Sequence, residues 1–338
     1  MILRASIPGW LACAAVVSLS ACGETAPPPR DPPLVADPPQ GQTGPVADDG
    51  AVQTELERGM AFLKAEKFAE AKGHFEKAIA IKPSAVAWAN LGVACEKTGD
   101  KAGAEKAYKG ALAIDAGLAD AAGNLAALYL DEPPRPDEAI AVLKAAIAKT
   151  PDPKLYQNLG YALGVKGDVE GASKVYEAAL ARGENAQIRF AYGSMLFDQK
   201  QVEKAAEQLK KAIDGAKGDA AMLTSMGVML SFAKAYGDCV RAFDLAMKIK
   251  PSPEAIVRRG TCKHELKDEP GAQADYEEAL KLDPSYAAGH YYLALSHKVQ
   301  KNKLKAITEL EKAIKLGAGK PIGKLAQQQF DEMTKKKK

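Results

Sequence analysis

Catalysis needs side chains that converge, and this sequence offers few that can. Of its four histidines, only His290 and His297 lie close together, seven residues apart on one face of a helix, with no third ligand for a metal. They read as packing or surface residues. There is no HExxH pair, no nucleophile elbow and no CxxC. The glycines of residues 317–323 (GAGKPIG) follow a helical pattern rather than a strand and lack the GK[ST] ending of a nucleotide loop. A helix C-cap followed by Pro321 in the next helix's first turn accounts for them. No cofactor, no metal and no enzymatic activity are therefore expected. What remains with chemical character is a set of amides and rings. Asn90, Asn124 and Asn158 recur at one constant spacing, and a carboxamide donates and accepts at once, which suits an extended peptide backbone. Tyr161, Phe190, Phe197 and Phe232 are candidate rigid anchors for a protein partner.

The whole-chain charge of +3 is small, and acidic and basic residues alternate, so no one-sided field marks a nucleic-acid partner. The lysines at 335–338 read as a solvated tail, with anionic lipid or an acidic partner as the other reading. At the other end, one cation, Arg4, precedes an apolar run over residues 7–19 that Pro8 and Gly9 interrupt. It is too short to span a bilayer, and residues 1–21 are expected to be a cleaved export signal.

That run ends in Leu19-Ser20-Ala21-Cys22, which resembles the lipobox of bacterial lipoproteins. The resemblance implies that Cys22 is acylated and begins the mature chain, and that Gly23 permits sorting to the outer membrane. Two or three acyl chains, at about 0.8 kcal/mol per buried methylene, make such an anchor permanent. Residues 22–50, with eight prolines and almost no large apolar side chain, cannot build a core. They are expected to form an extended tether at about 3.1 Å per residue, a docking peptide being the alternative.

The elements that must position the amides and rings announce themselves by repetition. Units with a period of about 34 residues start near 52, 85, 119, 153, 186, 220, 253 and 287 and fill residues 51–320. The eighth position is Gly or Ala throughout: Gly59, Gly92, Ala126, Gly160, Gly193, Gly227, Gly260 and Ala294. A second small residue follows at Ala71, Ala104, Ala139, Ala172, Ala205, Cys239, Ala272 and Ala306. Two antiparallel helices close tightly only where neither is bulky at the crossing. Large residues at position 24, such as Phe75, Tyr108 and Tyr176, and alanine at position 27 of every unit suit contacts between neighbouring helices. Gly99-Asp100 and Gly167-Asp168 mark turns, and Pro83, Pro151, Pro251 and Pro284 separate units. The third unit carries an extra residue in Asp131-Glu132-Pro133-Pro134-Arg135-Pro136, read as a tolerated insertion or a lateral contact. Residues 321–338 are expected to give a capping helix and a basic tail.

These units resemble the tetratricopeptide repeat (TPR) family. The resemblance implies an all-α fold, a right-handed α-solenoid of about eight TPR helix-turn-helix repeats closed by the C-terminal helix. It also implies that the first helix of each unit lines a concave groove, through positions that include the three asparagines and the four aromatics. The lysine and asparagine clamp of the chaperone-binding subclass is absent, position 9 being Met60, Val93, Ala127, Tyr161, Ser194, Val228, Thr261 or Leu295. In layout the chain is similar to pilotin lipoproteins and to TPR lipoproteins of motility complexes. The function so implied is a scaffold at the periplasmic face of the outer membrane, holding a peptide segment of an envelope-complex subunit from a pilus, secretion or motility machine. The alternative is a carrier of a hydrophobic small molecule or an accessory to a neighbouring enzyme. Cys95, Cys239 and Cys262 would then meet an oxidising compartment. Cys239 and Cys262 lie in adjacent units and are able to meet, although small buried thiols are the commoner role, so the bridge stays open.

Overall fold

The computed structural model describes residues 46–131, 133–216 and 218–335, with side chains from Asp49 onward. The export signal, Cys22 and the tether as far as residue 45 lie outside the described residues, as do the lysines at 336–338. Seventeen α-helices and no strand occur among the described residues. They run in chain order as eight helix-turn-helix units, called hairpins below, each with a first helix A and a second helix B: α1 (Val46–Lys64) and α2 (Phe68–Ile81), α3 (Ala85–Lys97) and α4 (Lys101–Ile114), α5 (Ala119–Leu130) and α6 (Pro136–Lys149), α7 (Pro153–Lys166) and α8 (Val169–Leu180). The series continues with α9 (Ala186–Asp198) and α10 (Val202–Ala212), α11 (Ala220–Phe232) and α12 (Tyr236–Ile249), α13 (Pro253–Glu265) and α14 (Glu269–Leu282), α15 (Ala287–Val299) and α16 (Lys303–Leu316). A last helix, α17 (Pro321–Thr334), packs on α16 and α15. The described chain divides into two compact units, one up to Met195 and one from Leu196.

One boundary departs from expectation. The tether is expected to run through Gly50, yet α1 begins at Val46. Asp49 falls in the first turn, where the positive end of the helix dipole favours acids. Asp49 is also paired with Lys82, just past the end of α2, at 2.8 Å.

Packing inside a hairpin follows from what faces the eighth position. A Cβ built on Gly59 would lie 2.6 Å from the Phe75 ring, and one on Gly260 would lie 2.6 Å from Tyr276. Gly92 meets Tyr108 and Gly160 meets Tyr176 more closely still, and Gly227 meets Phe243. The ring of helix B therefore lies on the bare backbone of helix A. Where position 8 is alanine, Ala126 and Ala294, the large residue is Leu143 or Leu310 instead of an aromatic. The fifth hairpin has Gly193 and Leu209. All eight large residues are at most 1% exposed, and the eight alanines at position 27 at most 4%.

The turns between A and B are equally regular. In seven hairpins one residue is left-handed: Gly99 and Gly167, but also Glu66, Lys200, Lys234, Lys267 and Lys301. Its N–H and the next bond back into helix A, as Gly99 N to Glu96 O (2.9 Å) and Asp100 N to Cys95 O (2.9 Å) do, satisfying carbonyls that the helix end leaves open. Asp100, Asp168 and Asp268 then cap helix B by accepting from Gly103, Gly171 and Gly271 N–H groups. The longer third turn is pinned in place. Arg135 stacks 4.3 Å from the Tyr129 ring centre and binds Glu105 at 2.8 Å, and together with Lys109 it pulls the pKa of the Glu105 carboxyl down to about 2.

Cys239 on α12 and Cys262 on α13 are joined by a disulfide, Cα atoms 6.4 Å apart, so the pairing left open by the sequence is made. Helix B of one unit packs against helix A of the next, which brings positions 20 and 10 together. Cys95 is a buried free thiol.

Two outcomes follow from this packing. Gly160→Ala should cost about 1–3 kcal/mol by forcing the Tyr176 ring away, and adding Tyr176→Leu, which copies the Ala126 and Leu143 arrangement, should restore much of it. Urea denaturation of the double-mutant cycle measures this coupling, and strictly additive losses would contradict it. The bridge closes a sequence separation of 23 residues, for which loop entropy gives about 3 kcal/mol. Reductant should thus lower the denaturation midpoint of the wild type while leaving Cys239→Ser/Cys262→Ser unchanged.

Candidate functional site

The A helices carry every residue expected at the binding face, and their burial sorts those residues. Asn90 on α3 is 0% exposed, and neither amide atom has a hydrogen-bond partner. It cannot reach a groove ligand, which corrects its place in the expected row. Asn124 on α5 is half-buried beside the Tyr108 hydroxyl, with its amide nitrogen sealed off. Asn158 on α7 is also half-buried, and its nitrogen lies 3.0 Å from where a Cβ of Gly123 would stand. Bare backbone at Gly123 is what admits the Asn158 amide against α5. The row exists, but its first member is sealed and its third is turned toward the preceding A helix. The repeat period puts the three on equivalent helix faces without saying whether that face looks to solvent or to a neighbour.

The aromatics behave differently. Within the unit up to Met195, Tyr161 and Phe190 are half-buried. Within the unit from Leu196, Phe197 near the end of α9 and Phe232 at the end of α11 face one another, ring centres 6.0 Å apart and tilted by 60°. Phe197 is half-buried and Phe232 is 37% exposed. Both sit just before the left-handed turns at Lys200 and Lys234, which end their helices and leave no further helical turn to cover the rings. Other apolar residues of the A helices, Leu56, Met60, Val93, Tyr291 and Leu295, are buried; Val228 is half-buried and Val299 is exposed.

Polar networks that the sequence did not reveal fasten the hairpins rather than form a reacting centre. Arg259 on α13 grips the buried Asp275 of α14 with two bonds, 2.9 and 2.6 Å, and reaches Asp244 of α12 at 2.7 Å; Lys263 adds a third contact to Asp275 at 2.9 Å. A forked guanidinium between carboxylates makes strong, directional bonds. His290 is buried between Glu309 (Nδ1 to Oε2, 2.5 Å) and the Pro284 carbonyl (Nε2, 2.9 Å). His297 is buried as well, and burial pushes its pKa down. Among the described residues, no group of three or more His, Cys, Asp or Glu is placed to hold a metal ion, and no helix is long and apolar enough to cross a membrane.

Asn90 gives a direct check on this sorting. Asn90→Leu removes two unsatisfied buried polar atoms and should raise stability by about 1 kcal/mol in a urea titration, where an amide serving a groove would show no such gain.

Comparison with known proteins agrees with the geometry. The family model of the cilia and flagella-associated protein 70 C-terminal domain matches residues 52–226, just over half the chain, and tetratricopeptide repeat models match residues 253–286 and 270–321. No curated protein matches. Among solved structures, the chain is similar to the C-terminal part of a TPR repeat-containing protein from Cytophaga hutchinsonii, at 16% identity and a TM-score of 0.54, covering 83% of this chain and 100% of that one. It is also similar to PilF of Pseudomonas aeruginosa (18% identity, TM-score 0.49, 73% and 98% covered) and to YrrB, a TPR protein with an unusual peptide-binding site (19%, 0.46, 55% and 97%). With helix pairs recurring at a constant period, small residues at both crossings and these family matches, the chain belongs to the tetratricopeptide repeat family.

Proposed function

We propose that this protein is a lipid-anchored scaffold that holds a segment of a partner protein on the exposed ends of its A helices. A TPR fold is an interaction scaffold in general terms, since each hairpin spends its apolar side chains on its neighbours and presents the remainder outward. The observation that carries the finer reading is the Phe197 and Phe232 pair. The large residues that plug the hairpins are sealed, yet these two rings remain partly in water. Paired, rigid and partly desolvated rings are the kind of group that dominates protein interfaces. In the other unit, Tyr161 and Phe190 offer further rings, with Asn124 and Asn158 as half-open amides.

The address is part of the same proposal. Acylation at Cys22 would place the chain at the outer membrane, facing the periplasm, where subunits of a pilus, secretion or motility machine are the partners in reach. The Cys239 to Cys262 disulfide is consistent with an oxidising compartment, because cytosolic thiols are kept reduced.

A photocrosslinking side chain at Phe232 in living cells should yield a discrete adduct with an envelope protein, while the same group at Ile114, an exposed residue at the end of α4, should not. Phe197→Ser/Phe232→Ser should abolish capture of that protein with the thermal midpoint nearly unchanged. Adducts from Ile114 alone, or capture unaffected by the double substitution, would refute the assigned face; a cytosolic partner would refute the address.

A further inference from the structure

Charge is unevenly spread along this chain. Residues 298–338 hold twelve lysines against four carboxylates, a net +8 in a chain whose total is +3, so residues 1–297 sum to −5. Part of this charge is gathered at one edge. α15 ends at Val299, α16 starts at Lys303, and α17 returns from the far end of α16 until Gln329 accepts a hydrogen bond from Lys298 Nζ at 2.6 Å. Lys298, Lys301, Lys303 and Lys305 therefore share an edge with the end of α17, where Lys335 follows Thr334.

The lysines of this turn are not matched by acids. Elsewhere lysine commonly meets a carboxylate of a neighbouring element, as in Lys72 with Asp100 (2.9 Å), Lys210 with Asp238 (3.4 Å) and Lys263 with Asp275 (2.9 Å). Among the described residues, no carboxylate pairs with Lys301, Lys303 or Lys305. Glu309, the acid nearest in sequence, is taken by His290 and Lys312. Between these lysines stand two bare aliphatic side chains, Val299 at 47% and Leu304 at 79% exposure, the latter the most exposed large hydrophobic residue described. Lys301 is left-handed (φ 61°), as Lys200, Lys234 and Lys267 are in the same turn of other hairpins.

We infer that this edge docks on an anionic lipid surface, Leu304 and Val299 entering the headgroup layer and the lysines lying on lipid phosphates. The shape selects the partner. Leu304 protrudes between two lysines instead of lining a pocket, and a deformable headgroup layer closes around such a tip, whereas a folded acidic protein would need a matching cavity. This contact is independent of the aromatic pair and of Cys22.

Cosedimentation of the full chain with vesicles of phosphatidylcholine, alone or mixed with phosphatidylglycerol, tests it. Any binding through the apolar N-terminal run should be common to both vesicles, so the readout is the ratio between them. Lys301→Gln/Lys303→Gln/Lys305→Gln should lower binding to the anionic vesicles by on the order of a hundredfold, at about fivefold per lysine, and salt should weaken the wild type in the same sense. Leu304→Ser should weaken anionic binding at every salt concentration. If Gln at 301 perturbs the turn, Lys301→Gly, which suits the left-handed backbone, replaces it in the triple variant. Equal partitioning onto both vesicles, or a triple variant that binds like the wild type, would overturn the inference. So would full displacement from vesicles by soluble polyglutamate with no effect of Leu304→Ser, an outcome that assigns the edge to an acidic protein.

Discussion

The close approach of one helix backbone to a side chain of its partner is the contact on which the rest of this structure depends. In five hairpins a phenylalanine or tyrosine of helix B lies directly on a glycine of helix A, and in two more a buried leucine replaces the ring where an alanine replaces the glycine. The combined volume is roughly conserved across the crossing, as dense packing requires. A methyl group added on one side must be compensated on the other. Where a hairpin closes this way, its B helix is held where the next A helix can pack on it, and the alanine at position 27 is sealed in every unit. The solenoid is the accumulation of one local fit, repeated.

That economy decides where chemistry can appear. Side chains at the crossings and between hairpins are spent on packing, and the polar groups that penetrate there are fasteners: Arg259 with Asp244 and Asp275, His290 with Glu309, Arg135 with Glu105. A functional surface has to be built from what remains at the ends of the A helices and in the turns that follow them. The Phe197 and Phe232 pair and the lysine turn around Leu304 both lie in such places. In both cases the left-handed residue that stops helix A also exposes the side chains just before or after it.

The same logic separates the two kinds of amide and aromatic residue. Asn90 carries the periodicity of a binding face yet is buried, because α3 turns that side toward neighbouring helices. Phe197 and Phe232 have no such cover. Exposure along an A helix is thus set by how far its last turn projects past its neighbours, a quantity absent from the repeat pattern.

Eight helix pairs, their crossings, their turns at Gly99 and Gly167 and the closing helix α17 were all determined by the sequence alone, because each rests on contacts within one repeat or between adjacent ones. Small residues and large residues recur at fixed offsets, and sterics leave them one way to fit. The start of α1 at Val46 escaped that reading, since it lies before the first repeat and the composition of residues 22–50 is dominated by proline. Only the tertiary structure decided that Asn90 is sealed, that Cys239 and Cys262 meet, that Asp275 is buried against Arg259, and that Lys298 and Gln329 bring the lysine turn before α16 beside the end of α17. Each of these depends on the rotation of one helix about its axis relative to another. Periodicity places a residue on a helix face, but packing against the neighbouring helix is what turns that face inward or outward.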